Sequence, residues 1–248
     1  MKKKNILLII LLIIFSISVV RIELQNDTFF SIAVGRQIMD TGIDMQEHLT
    51  WHEGLMYTYS HWLFDLINLF LFNFAGFKAI YIFVVLMTTI TSITLFTVLK
   101  KLNKNSYAIP FIITIFVIIM GSQYFAARAQ IISYVLFILE VYFIEKLLDT
   151  NKKRYILGLI VIPIIVANTH AAMWLLCLVF YLPYFAEAFF GYFRAKNRCK
   201  RLITKIEKKL ELENNPDKIE ILKSDLLYGL SDEEIKNKID NTDLEIYD

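Results

Sequence analysis

Arg128 stands in the stretch FAARAQ, between two apolar runs. Its planar, permanently charged guanidinium can grip a phosphate through two parallel hydrogen bonds. The same place also suits an arginine whose stem lies in lipid while its head reaches water. Gln130, two residues on, adds a neutral hydrogen-bonding group. His61 and Asp65 are one helical turn apart, so an imidazole and a carboxylate can pair there. Set inside an apolar run, such a pair either meets a ligand or fixes helix packing. His170 lies in NTHAAMW, a polar turn between two apolar runs; it either reaches a ligand or an acid of another loop, or helps the turn close both helices.

The densest group of metal-ligating types is Glu47, His48, His52 and Glu53 in EHLTWHE. On a helix His48 and His52 would share one face. The stretch does not match H-E-x-x-H, because Leu49 stands where the base glutamate belongs. A zinc site also needs a third ligand. The four residues are therefore weak metal candidates, and a divalent metal cofactor is not supported. Trp51, within the same stretch, is expected to stack on an apolar sugar face or to sit at the headgroup level of a bilayer.

These residues need elements to hold them. Of 248 residues 56% are apolar, with 20 phenylalanines, and the apolar residues fall in long runs parted by short polar breaks. One soluble core has no need of such repetition, so the composition predicts an all-α, multi-spanning membrane protein with the lipid bilayer as its first partner. No basic patch carries interleaved aromatics, which excludes nucleic acid as a partner. Cys177 and Cys199 are isolated and suggest no disulfide framework.

Lys2–Lys4 precede the first apolar run, which reads as a transmembrane helix entered from the cytoplasm, with a cleaved signal peptide as the alternative. Residues 21–57 form an acidic outer loop in which DTFFSIAVGRQIMDTG predicts an amphipathic interfacial helix capped by Asp27 and stopped by Gly42. Lys/Arg clusters lie at 2–4, 100–104, 152–154 and 194–201. About six crossings, at 5–20, 78–99, 107–121, 130–148, 155–167 and 171–191, put all of these clusters inside. Residues 57–76 are then a partly inserted outer helix; if they span, the number is seven. Residues 1–192 thus read as a transmembrane domain. Residues 193–248 read as a charged cytoplasmic helical tail, or as a loop leading to spans that are missing.

Three motifs, in this order and spacing, resemble a group of bacterial multi-spanning proteins related to the GT-C superfamily of membrane glycosyltransferases. They are DTFFSIAVGRQIMDTGIDMQEHLTWHEGLMYTYSHWLFDLI, FAARAQIISYVLF and ANTHAAMW, covering roughly residues 20–175. Ala129 stands where the related motif usually has proline, and Ala171 where it usually has glycine. The resemblance implies residence in the bacterial cytoplasmic membrane. It implies transfer of a sugar from a polyprenyl-phosphate-linked donor at the outer face. It places an acid early in the first outer loop, which here is Asp27, to activate or orient the acceptor. It implies a longer protein, so the chain reads as an N-terminal fragment, completed by further C-terminal spans or a partner chain, or as a reduced relative. The competing expectation is a non-enzymatic scaffold or assembly protein of the cell envelope. A transporter ranks third, because the chain has no internal repeat.

Overall fold

A computed structural model describes residues 2–21, 25–104 and 106–194. Among these the regular structure is all helical: α1 Lys2–Val19, α2 Asn26–Thr41, α3 Trp62–Ala75, α4 Phe77–Leu102, α5 Ala108–Met120, α6 Gln130–Thr150, α7 Arg154–Thr169 and α8 Trp174–Val179. Single 3-10 turns lie at Ser122–Tyr124 and Ala171–Met173, and one antiparallel bridge, Gln46 to Met56, pinches the loop between α2 and α3. The chain divides into two compact units, residues 1–181 and 182–248; in the second, residues 182–194 are helical. Cys199 and the remainder of the charged tail lie outside the described residues.

The amphipathic segment after the first run forms α2, with Thr28, Ser31, Ile32, Val34, Gly35, Gln37 and Ile38 on its buried side. That three-to-four spacing is one helical stripe. Gly42 ends the helix at φ 78°, and its N–H donates to the Ile38 carbonyl. Asp27 is not the cap. Gln25 holds the capping position, and Asp27 is the second residue of the first turn, with no side-chain capping bond. Its carboxylate still sits at the positive end of the helix dipole.

Of the sequence-predicted helix at 57–76, only Trp62–Ala75 is helical, and Gly76 at φ 63° turns it directly into α4. Fourteen residues span about 21 Å at ~1.5 Å per residue, short of a hydrocarbon core about 30 Å thick. Gly35 lets α3 approach α2 closely, because a Cβ there would collide with the Asp65 carbonyl. The resulting core joins Val20, Ile32, Phe64, Ile80 and Val84 to Ala127, Ala129 and Ile131 ahead of and within α6.

Two stretches are long and apolar enough to cross a membrane, Phe77–Leu102 and Ala171–Arg194. α3, α5 and α7 are apolar but shorter. The bundle shows an inverted distribution of polarity. Ser16 of α1 is fully buried and bonds at 2.7 Å to Ser92 of α4, while Thr88, Thr114 and Ser133 are also fully buried. On the outside, α1 exposes Ile6, Leu7, Ile10 and Ile14, and α5 exposes Ile109, Ile112 and Phe116.

Candidate functional site

A cavity of about 320 Å³ lies where four separate stretches of chain meet. Asp27, Phe30 and Ser31 come from the start of α2, and His61 and Phe64 from the start of α3. Arg128, Ala129 and Gln130 come from the entry to α6, and His170 from the turn after α7.

Each stretch has a reason to be there. The approach to α6 is pinned by buried Phe125, Ala127 and Ala129, and the Thr28 hydroxyl donates to the Ala127 carbonyl at 3.3 Å. That contact sets Arg128 opposite the first turn of α2. The NTH turn is tied to the start of α3 by two bonds. Trp62 Nε1 donates to Asn168 Oδ1 at 3.1 Å, and the Ala171 N–H donates to the Ser60 carbonyl at 2.8 Å. They bring His170 beside His61.

Arg128 Nε lies 2.8 Å from Asp27 Oδ2. The carboxylate is off the line of the N–H, so the contact is an ion pair and the buried Nε–H has no hydrogen-bond acceptor among the described residues. Asp27 is 61% exposed and Arg128 37%.

His61 is held differently. Its Nδ1 is 2.9 and 2.8 Å from the two oxygens of Asp65, which is fully buried. An ionised carboxylate only accepts, so Nδ1 carries the proton. Ser31 Oγ donates to Asp65 Oδ1 at 2.6 Å, and Asn68 Nδ2 donates to Ser31 Oγ at 3.0 Å. The Asp65 hydrogen bond raises the His61 pKa above its usual 6.5 despite the opposing effect of burial, and the charges of Asp65 and Asp27 add to the rise. His170 shifts the other way. Burial lowers its pKa, and the nearby His61 charge lowers it further. Its Nδ1 is buried with no hydrogen-bond partner among the described residues. One cavity thus holds an imidazole biased toward the charged form and one biased toward the neutral form, the division that acid–base chemistry uses.

Of the sequence-predicted site residues, Asp27, Arg128, Gln130, His61 and His170 line this cavity, and Asp65 stands behind His61. Trp51 does not line it; it is 86% exposed and lies against His52 with ring centroids 3.8 Å apart. Glu47, His48, His52 and Glu53 form no metal site. Their loop is not helical, so the two histidines share no helical face. Instead, His48 Nε2 pairs with Asp44 Oδ2 at 2.6 Å, and Glu47 accepts from the Leu49 and Thr50 N–H groups at 2.7 and 3.1 Å and from the Thr50 hydroxyl. Among the described residues no group of three or more His, Cys, Asp or Glu is arranged to hold a metal.

The sequence reading overlooked Ser31, whose place four residues after Asp27 puts it on the same face of α2, and it overlooked the Ser31 bond of Asn68. It also passed over Glu140 of α6, which is fully buried, lies near Cys177 and has no hydrogen-bond partner on either carboxyl oxygen among the described residues. Neither a known protein-family model, nor a curated protein, nor a solved structure matches this chain.

Proposed function

We propose that this chain is a membrane glycosyltransferase-like protein that takes a sugar from a polyprenyl-phosphate donor at the outer face of the cytoplasmic membrane. The observation that carries the reading is the convergence of Arg128, Asp27, His61 and His170 from four chain segments on one cavity. The inverted polarity of the bundle supports a membrane setting, and the spacing of the Lys/Arg clusters supports about six crossings with the N-terminus inside. Buried serines and threonines inside an apolar exterior suit lipid as the solvent. With that orientation the cavity opens outward, at the depth of lipid headgroups.

In this reading Arg128 and Gln130 hold the donor phosphate, and His61, with its proton secured by Asp65, adds a second positive group. The acceptor hydroxyl attacks the anomeric carbon. The bond from that carbon to the phosphate oxygen breaks, the lipid phosphate leaves with the electron pair, and Asp27 takes the hydroxyl proton. His170, neutral, orients the acceptor.

The test is transfer of a radiolabelled sugar from polyprenyl-phosphate donors by the full chain in lipid nanodiscs. Asp27→Asn is expected to lower kcat by ~10²–10⁴-fold. Full transfer by Asp27→Asn removes its role as proton acceptor, and absence of transfer with every donor tried removes the reading.

A further inference from the structure

Resting on the phosphate reading of this cavity, we infer that the Asp27 carboxylate is the resident occupant of the Arg128 anion site, and that an incoming phosphate headgroup displaces it. The two carboxylates near the cavity differ in how they are held. Asp65 is buried and fixed by Ser31 and His61 together. Asp27 is well exposed, and Arg128 is its one ion-pair partner among the described residues. The Arg128 Nε–H, meanwhile, has an ion beside it but no aligned acceptor. A carboxylate that neutralises a guanidinium without using its donor geometry leaves that geometry to a better-fitting anion. Phosphate offers more charge and more acceptor oxygens, and a guanidinium binds it in bidentate fashion.

The surroundings favour an anion in either form. Arg128 stands two residues ahead of Gln130, the first residue of the 21-residue α6, and Asp27 lies in the first turn of α2. Two helix N-termini therefore direct positive potential at this place. The charged groups at the cavity are Arg128, Asp27 and His61, with Asp65 behind, and Asp65 is already committed to His61. Displaced from Arg128, Asp27 becomes a free carboxylate at the cavity only once the phosphate is in place. Binding is then ordered, with the phosphate-bearing donor first and the acceptor, which needs a free Asp27, second.

The inference has a sign that ordinary site mutagenesis does not. A residue that helps to bind phosphate weakens binding when removed, whereas a resident competitor strengthens it. The experiment titrates the full chain in detergent with inorganic phosphate, and in phosphatidylcholine nanodiscs with polyprenyl monophosphate, at one fixed ionic strength. Asp27→Asn and Asp27→Ser are expected to bind the phosphate probe more tightly than the unchanged chain, by up to about fivefold, because a half-exposed ion pair is a modest competitor. Arg128→Gln is expected to weaken binding at least tenfold, and Asp40→Asn, an exposed acid at the far end of α2, to leave it unchanged. The headgroup is the ligand if only the lipid probe binds, and free phosphate if only the inorganic probe binds; with either, tightening in both Asp27 variants supports displacement. Equal or weaker binding in those variants overturns it, and weaker binding means that Asp27 itself helps to hold the ligand. Absence of binding to either probe overturns it together with the phosphate reading. If the tightening is found while sugar transfer is absent, displacement stands and the transferase reading alone falls.

Discussion

Two regions of this molecule are rich in histidine and acid, and one of them lines a cavity. The loop between α2 and α3 carries Asp44, Glu47, His48, His52 and Glu53 within ten residues, yet Asp44 pairs with His48 and Glu47 takes the Leu49 and Thr50 N–H groups, all local partners at the surface. The cavity draws Asp27, His61, Arg128 and His170 from positions spread over more than half the chain. Neighbours in sequence meet cheaply, so side chains in a short loop find local partners and are satisfied there. Groups brought together by packing are held by backbones they do not control. Some, such as His170 Nδ1 and Arg128 Nε, are left without a hydrogen-bond partner, and those are the groups a ligand can use.

The sharpest test of the cavity region is to cut the bond beneath it. Asp65→Asn replaces a buried double acceptor with a group that has one acceptor oxygen and two donors. Either His61 Nδ1–H or Ser31 then loses its acceptor in a fully buried place. Destabilisation of about 2–4 kcal/mol is expected, the cost of breaking a buried, hydrogen-bonded charge pair. Unfolding of the detergent-solubilised chain by denaturant measures it. A change under ~0.5 kcal/mol would mean that Asp65 is no keystone of the α2–α3 contact.

Much of this architecture was legible in the sequence, and what was not has physical causes. The helix at α2 and its glycine stop followed from periodicity and from the left-handed conformation that Gly42 supplies. The His61–Asp65 pair followed from helical spacing alone. The placement of Asp27 as a cap failed by two residues, because Gln25 and Asn26 are also polar and periodicity does not fix a boundary that finely. The metal candidates failed because helical spacing has meaning only on a helix, and Gly54 at φ 76° together with the Gln46–Met56 bridge makes this loop something else. The ion pair between Asp27 and Arg128 was out of reach. It depends on Thr28 meeting Ala127 across a tertiary contact that no local pattern encodes.

The regions should also titrate apart. The folded pKa of His61 lies above 6.5, so its stabilising contribution is complete below the unfolded value near 6.5 and is lost as pH rises through the folded value. His170 is depressed, so it removes stability as pH falls below 6.5. In the loop, the hydrogen bond from His48 lowers the Asp44 pKa and the Thr50 hydroxyl lowers that of Glu47, so their contributions hold above the unfolded values near 4 and disappear in acid. Relative to a chain without this imidazole, phosphate binding should therefore weaken as pH climbs through the His61 transition, the second ionisation of the phosphate being common to both. His61→Gln is expected to flatten that limb of the binding profile, and an unchanged profile in this variant would remove His61 from the anion site.

Trp51 tests the loop with the smallest expected effect. Its size and its neighbours make it look important in the sequence, and loss of a buried tryptophan would cost several kcal/mol. Here the ring is 86% exposed and touches His52, which is itself exposed. The loop is anchored elsewhere: Gln37 Nε2 of α2 donates to Tyr59 Oη at 2.5 Å and to the Gln46 carbonyl at 3.3 Å, and Tyr59 packs with Val34 and Ile38. Trp51→Ala leaves all of these in place. A stability change within ~0.5 kcal/mol and an unaltered phosphate affinity are expected, read by the same denaturation and titration experiments. The informative surprise is a loss of phosphate affinity with stability preserved. Such a loss would mean that the loop folds over the cavity when the ligand arrives, and that the two regions, separate in this structure, close into one site.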